Sequence, residues 1–294
     1  MNAHRSHDAT AGRSPLSRLR DSGALRALVL VSGVLVAVGC GGAKANGPTD
    51  QQSVGEYDIA RDDFQKGRLR EALGHVDKAL ELDDANAEAA YLGATVMIAF
   101  CAQDERSSDC RFDRAETYAR KALEANPEMR DAKNMLGVIL IHQRRYDDAI
   151  AVLKPLADDI LYGSPEKSWG NLGWAYLQRG KVDAAIDALR RAVAAQPMFC
   201  VGQYRLGLAY EKKGELSAAR EAFSKAVDGT PECQRLQDAF DARARVSMKQ
   251  GLRDEAKADL EKCRNIASTT IVGQRCAAQL AGFGGQVPRP PTLQ

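Results

Sequence analysis

Residues 166–197 read EKSWGNLGWAYLQRGKVDAAIDALRRAVAAQP, and residues 200–231 read CVGQYRLGLAYEKKGELSAAREAFSKAVDGTP. The two segments are offset by 34 residues and share one pattern of small and apolar positions. In both, small residues stand at positions 8, 20 and 27, glycine at position 15 and proline at position 32. Glycine permits a tight turn and proline cannot continue a helix. Each segment therefore predicts two helices joined by a turn.

This pattern resembles the tetratricopeptide repeat (TPR). Carrying its register outward gives about six repeats between residues 53 and 283, and residues 265–283 are expected to form a last helix that covers the exposed hydrophobic end. The predicted fold class is all-α, a TPR solenoid of about six helix-turn-helix repeats with a C-terminal capping helix. Such a fold favours binding over catalysis as the function. The positions that carry the pattern are Trp169, Leu172, Gly173, Tyr176, Gly180, Ala185, Ala192 and Pro197 in the first copy and Leu206, Gly207, Tyr210, Gly214, Ala219, Phe223, Ala226 and Pro231 in the second.

Two repeats depart from the regular pattern. The second contains an insertion bounded by Cys101 and Cys110. The third carries Pro155 in its second helix, which removes a backbone hydrogen bond and predicts a kinked or shortened helix. Residues 284–294 are rich in glycine and proline and are expected to be a disordered tail.

Residues 1–39 are predicted to be a targeting segment that is removed. Five arginines precede an apolar run at residues 27–38, which is too short to span a bilayer. The run ends with a small residue before Cys40, an arrangement that resembles a bacterial lipobox. The resemblance implies that Cys40 is lipidated and, since Gly41 follows it, that the protein is anchored to the outer membrane and faces the periplasm. An ordinary signal peptide or an uncleaved anchor is the alternative.

The charge of the chain gives no reason to expect a nucleic-acid partner. The full sequence has a net charge of +2, and residues 1–39 contribute five arginines and two aspartates, a net of +3, which leaves about −1. No basic surface follows from this balance. Residues 40–52 are expected to form a flexible tether, and residues 53–283 the TPR domain.

Six cysteines follow Cys40, and an even number in an exported protein predicts disulfides. The first expected bond would close the insertion of the second repeat and stabilise the fold by about 2–3 kcal/mol, because it restricts the unfolded chain. The alternative is that the cysteines stay reduced and buried. No metal site is expected, since there is no CxxC and only His75 and His142 follow Cys40. The local pairs we expect are Cys101–Cys110, Cys200–Cys233 and Cys263–Cys276.

No group of residues with catalytic spacing is found. No Ser/His/Asp, Cys/His or paired-carboxylate set can be placed on one helix face, and no phosphate-binding loop is present. We therefore expect no enzyme activity, no cofactor and no small-molecule substrate.

The first helix of each TPR lines the concave face of the superhelix. In repeats three to five, several of these positions are apolar or aromatic, which predicts a groove for a protein segment. Trp174 and Tyr204 are the expected anchors, because aromatic side chains dominate interface energetics. The alternative is that the superhelix closes and these side chains pack against neighbouring helices, as is expected for Trp169 and Tyr176. The predicted partner-binding residues are Val138, Ile141, Trp174, Leu177, Tyr204 and Leu208.

A more specific signal lies between the third and fourth repeats. There the loop Asp158-Asp-Ile-Leu-Tyr162 is followed by Asn171-Leu-Gly173. This combination resembles the PilF/PilW/Tgl family of type IV pilus lipoproteins, and the internal cysteines place it nearest the Tgl-like branch. The resemblance implies a pilotin, which promotes assembly or outer-membrane localisation of the pilus secretin and so supports pilus biogenesis and motility. The alternative is an envelope scaffold that recruits murein hydrolases or other envelope enzymes.

Overall fold

Residues 48–283 form thirteen α-helices in the computed structural model, which describes this part of the chain alone. One 3₁₀ turn, Cys233–Arg235, precedes the eleventh helix, and no β-strand occurs among these residues. The predicted all-α class is confirmed. The helices are α1 (Pro48–Gln65), α2 (Leu69–Leu82), α3 (Ala87–Gln103), α4 (Phe112–Ala125), α5 (Arg130–His142), α6 (Tyr146–Ala157), α7 (Pro165–Gln178), α8 (Val182–Ala195), α9 (Cys200–Lys213), α10 (Leu216–Val227), α11 (Gln237–Lys249), α12 (Arg253–Ile266) and α13 (Ile271–Ala281).

The helices pair in chain order as six repeats, from α1–α2 to α11–α12. Each helix packs mainly against the helices next to it in the chain, and the first helices of adjacent repeats also touch one another. The last helix, α13, packs against α12 and α11 and so covers the end of the sixth repeat. This is the predicted TPR solenoid with its capping helix.

Helical periodicity explains how each helix reaches the core. In α8, Ala185, Ile186, Ala188, Leu189 and Ala192 are all buried and recur at intervals of one to four residues. They form one apolar stripe along the helix. Full burial of a leucine or isoleucine side chain contributes roughly 1.5–3 kcal/mol relative to exposure. Burial of these stripes between neighbouring helices is what holds the solenoid together.

Two glycine positions of the repeat have a steric cause. A Cβ on Gly173 would lie 2.5 Å from the Leu189 side chain, so position 8 must be small for α7 and α8 to pack. At position 15, Gly180 and Gly214 have φ values of 83° and 88°, in the left-handed region that glycine adopts without strain. In the third repeat Arg144 takes this position with φ 61°.

The structure corrects one boundary and refines two others. Residues 48–52, expected to belong to the tether, are helical because α1 begins at Pro48, a residue suited to the first helical position. Helix α6 ends two residues after Pro155. Helix α13 begins at Ile271, after Thr270 accepts a hydrogen bond from the Gly273 amide at 3.0 Å.

The proposed signal peptide, the lipidated Cys40 and the C-terminal tail lie outside the described residues. Among the helices of residues 48–283, none combines the length and apolar character that crossing a membrane would require.

Three disulfide bonds join the described cysteines, and they are the three expected local pairs. The Cα–Cα distances are 4.4 Å for Cys101–Cys110, 5.5 Å for Cys200–Cys233 and 6.1 Å for Cys263–Cys276. The first closes the insertion of the second repeat. The second links the start of α9 to the turn before α11, and the third fixes α13 to α12.

Candidate partner-binding site

The first helices of repeats three, four and five enclose a cavity of about 230 Å³. We call it the concave cavity. Four of the six predicted partner-binding residues line it, namely Val138, Ile141, Trp174 and Tyr204. The sequence therefore predicted the three helices and most of the apolar wall. The other lining residues are His142, Asn171, Val201, Arg205 and Leu236.

Leu177 and Leu208 do not line this cavity. Leu177 is only 4% exposed and belongs to the buried cluster that includes Ala185 and Leu206. The prediction that it lies on an open groove is wrong, because its side chain fills the core between repeats. Leu208 is partly buried and packs against the same cluster.

The two expected anchors are held firmly. Trp174 is partly buried against core residues of both neighbouring clusters. The Tyr204 ring lies 6.0 Å from the Phe223 ring, centroid to centroid, at an angle of 42°. Burial raises the pKa of Tyr204 to about 12, so its hydroxyl stays protonated and can donate a hydrogen bond. Both side chains therefore present a fixed aromatic surface to the cavity.

A chain of polar side chains crosses the floor of the site from α5 to α9. Asn171 Nδ2 donates to Asn134 Oδ1 at 3.0 Å. Arg205 Nη1 donates to Asn171 Oδ1 at 2.9 Å and to the Gly170 carbonyl at 3.1 Å. Asn171 begins the Asn-x-Gly motif of the sequence, and the structure gives it the role of linking three successive first helices.

Gly170 is required where it stands for a separate reason. A Cβ there would lie 2.7 Å from the Phe199 ring. Phe199 directly precedes α9, so this close contact sets the approach of α9 to α7. The backbone carbonyl of Gly170 is then within reach of Arg205.

Arg205 is the cation of the concave cavity. Its guanidinium carbon lies 5.4 Å from the centroid of the Trp174 ring, within the range of a cation–π interaction. Burial lowers the pKa of Arg205 to about 10, which still leaves it charged at neutral pH. Its only hydrogen-bond acceptors within residues 48–283 are neutral oxygens.

His142 forms the edge of the same cavity. Its ring stacks on Phe112 with centroids 4.9 Å apart and an angle of 12° between planes. Burial is the largest cause of a lowered pKa of His142, and Arg205 lowers it further although Glu105 opposes the shift. The imidazole is therefore mostly neutral at pH 7, which leaves Arg205 as the charged group of the cavity wall.

The loop before α7 is anchored to the solenoid and exposes two apolar side chains. Tyr162 is buried, and its hydroxyl donates to Asp131 Oδ1 at 3.2 Å. Arg130 Nε donates to Asp159 Oδ2 at 2.6 Å. These contacts hold the loop, while Ile160 and Leu161 are 96% and 72% exposed.

Trp169 and Tyr176, expected in the core, are partly buried against it. Trp169 is covered on one face by Arg191, whose guanidinium carbon lies 4.6 Å from the ring centroid. In residues 48–283, no cluster of three or more histidine, cysteine, aspartate or glutamate side chains could hold a metal ion.

The sequence did not reveal Arg205 and Leu236 as parts of the site. Arg205 stands at position 6 of its repeat, beside the positions that usually face the groove. Leu236 belongs to the turn before α11. No sequence signal singles out Arg205, because the pairing of a cation depends on the tertiary structure.

Comparison with known proteins agrees with this architecture. A tetratricopeptide repeat family model matches residues 111–159 and 171–232, which include α5, α9 and the part of α7 from Asn171 onward. Among curated proteins, the chain is 29% identical over 168 residues to the type IV pilus assembly protein PilF of Pseudomonas aeruginosa. The match covers 54% of this chain and 63% of PilF.

Two solved structures share the fold. The structure of Pseudomonas aeruginosa PilF has a TM-score of 0.62 at 20% identity and covers 79% of this chain and 100% of that one. The structure of PilW, described as a widely conserved type IV pilus biogenesis factor, has a TM-score of 0.65 at 20% identity and covers 77% and 99%. The chain thus has the fold of a tetratricopeptide-repeat solenoid, and its predicted resemblance to PilF and PilW is confirmed.

Proposed function

We propose that this protein is a pilotin-like lipoprotein of the outer membrane that supports assembly or outer-membrane localisation of a type IV pilus secretin. It would thereby support pilus biogenesis and pilus-dependent motility. The sequence similarity to PilF supports the pilus context. The observation that carries the binding role is the concave cavity, because its aromatic wall is fixed and open to a partner segment.

The solenoid and the anchor would divide the task. A lipid on Cys40 would keep the protein at the membrane into which the secretin must insert, since acyl chains contribute roughly 0.8 kcal/mol per buried methylene. The cavity would hold a secretin segment before the ring forms. Neither step requires catalysis.

The test is an immunoblot for heat- and detergent-resistant secretin multimers in membranes from cells with and without this gene. The proposal predicts loss of multimers while secretin monomer persists. Unchanged multimers would contradict it and would favour the scaffold that recruits murein hydrolases.

Complementation with variants ties the function to the cavity. Trp174→Ala combined with Tyr204→Ala should leave the multimers at the level of the deletion strain, because truncating a central aromatic anchor typically costs about 2 kcal/mol or more of binding free energy. The matched control is Ile271→Ala, which removes an apolar side chain that is 72% exposed on α13, away from the cavity. Full restoration of multimers by the double variant would place the binding surface elsewhere.

The anchor is tested separately with Cys40→Ala. We expect this variant to lose membrane attachment in fractionation and to restore multimers poorly. A Cys40→Ala protein that remains membrane-bound and functional would refute lipidation.

A further inference from the structure

The charge of Arg205 has no counterion in the protein. No carboxylate of residues 48–283 forms an ion pair with it, although the chain is rich in such pairs. It is nevertheless partly buried, between Trp174 and the α7 backbone. Burying a charge without a partner is unfavourable, so a residue kept in this state indicates a partner that arrives from outside.

Arg205 lines the concave cavity and has hydrogen-bond donors that the protein does not use. A guanidinium has five N–H groups, and only Nη1 is bonded within the described chain, to Asn171 and Gly170. Nε and Nη2 have no acceptor there, and neither is completely enclosed by protein. The two bonds from Nη1 fix the plane of the group, so the unused donors present a preformed fork for a carboxylate.

The apolar wall lies next to this fork. Trp174 and Tyr204 flank Arg205, and Val138 and Leu236 complete the lining. A ligand that satisfies both parts must carry a negative charge beside an apolar side chain. With His142 mostly neutral, Arg205 alone would supply the charge selectivity.

We propose that the concave cavity recognises an internal acidic motif of the partner, in which an aspartate or glutamate carboxylate binds Arg205 and an adjacent apolar side chain packs on Trp174 and Tyr204. This inference rests on the proposed function, because it names the chemistry of the segment that the same cavity captures. It identifies Arg205 as the residue that determines specificity.

The test uses the chain from Gly41 onward and a phage library of random 12-residue peptides fused to the coat protein through their C-termini, so that no peptide has a free terminal carboxylate. We expect the selected peptides to share an acidic residue next to an aromatic or aliphatic one. The best binder is then synthesised with an amidated C-terminus, together with a version in which the acidic residue becomes its amide. Affinities are measured by calorimetry.

The acidic peptide should bind the wild-type protein at least 10-fold more tightly than its amide version, because a charge-assisted hydrogen bond is lost in the amide. Arg205→Met should lower affinity for the acidic peptide to that for the amide version and leave the amide version unaffected. Equal binding of the amide version by both proteins shows that the variant is folded. Arg205→Lys should retain part of the preference, and the control Arg61→Met, a surface arginine on α1, should retain all of it.

Three results would overturn the proposal. They are failure to select any binder, an acidic preference that survives Arg205→Met, and binding that requires a free C-terminal carboxylate. The outcome is separable from the secretin assay. Acidic selectivity that depends on Arg205 could hold even if secretin multimers prove independent of this gene. Conversely, if the multimers depend on the gene but the acidic selectivity is absent, the pilotin proposal stands and the acidic-motif proposal fails.

Discussion

The arginines of two regions differ in whether they have a carboxylate partner. Within residues 48–283, Arg205 on α9 has none, whereas three arginines on α11 and α13 each have one. Arg205 is partly buried in the wall of the concave cavity and has neutral acceptors only among the described residues. Arg243 on α11 and Arg275 on α13 each bind a buried aspartate, and Arg245 on α11 binds Glu211, which is largely buried. The pairs are bidentate in two cases, with Arg243 bound to Asp259 at 2.7 and 2.8 Å and Arg245 bound to Glu211 at 2.8 and 2.9 Å.

Helix α9 contains both an unpaired charge and a paired one. Arg205 lies near its start, at the cavity, and Glu211 lies near its end, bound by Arg245 and Lys249 from α11. The C-terminal pairs join helices to one another, so their charges are used for folding. Arg205 also joins α9 to α7, but through neutral acceptors and without a carboxylate. On the proposed account, the unpaired charge of Arg205, more than apolar exposure, marks the candidate binding face of this solenoid.

The largest effect should come from breaking the most buried pair. Arg243→Met would leave Asp259 buried without its partner, and we expect the free energy of unfolding to fall by about 3–5 kcal/mol. Urea unfolding followed by circular dichroism measures this loss. The matched control is Arg220→Met, which breaks the exposed pair with Glu255 and should lower stability by less than about 1 kcal/mol. Equal losses for the two variants would show that burial does not set the value of these pairs.

A smaller, pH-dependent effect is expected at the other end of α9. Burial would raise the pKa of Glu211, but hydrogen bonds from Arg245 and Lys249 outweigh it and lower the pKa. A lowered folded pKa contributes stability above the unfolded value of about 4.3, and this contribution is lost as the pH falls through the folded pKa. Glu211→Gln should therefore destabilise the protein by roughly 1 kcal/mol at pH 7.

The same substitution should have little effect once the pH lies below the folded pKa of Glu211. Unfolding midpoints of both proteins, measured from pH 7 to pH 3, test this convergence. A difference that stays constant over this range would show that the carboxylate charge is not responsible.

The smallest effect on folding is expected for Arg205→Met. It removes two hydrogen bonds to neutral acceptors and the contact with Trp174, but it also removes a partly buried charge that has no counterion in the described chain. These terms oppose each other, so we expect the free energy of unfolding to change by less than about 1 kcal/mol. A loss as large as that of Arg243→Met would place Arg205 with the structural arginines and remove the contrast between the two regions.

The sequence predicted the repeats better than the site, for physical reasons. Close packing at Gly173 and the left-handed turn at Gly180 depend on a few local residues, so a fixed spacing reveals them. The turn at Arg144 obeys the same backbone requirement without the glycine, and only the structure shows it.

Within the site, the repeat positions predict the apolar wall. They do not predict that Leu177 is buried, because its burial depends on how repeats four and five pack. Nor could the sequence show that Arg205 is unpaired. That state depends on where the folded chain places its carboxylates, and no local spacing reveals this.

A photo-cross-linking amino acid placed at Val201 would show what occupies the concave cavity in cells. Val201 lines the cavity, is 37% exposed and can be replaced without opening the core. The same group at Ile271 on α13 serves as the control. We predict a secretin adduct on immunoblots after irradiation of the Val201 variant and none for Ile271. A secretin adduct of equal yield at Ile271, or none at Val201, would contradict partner binding in the cavity.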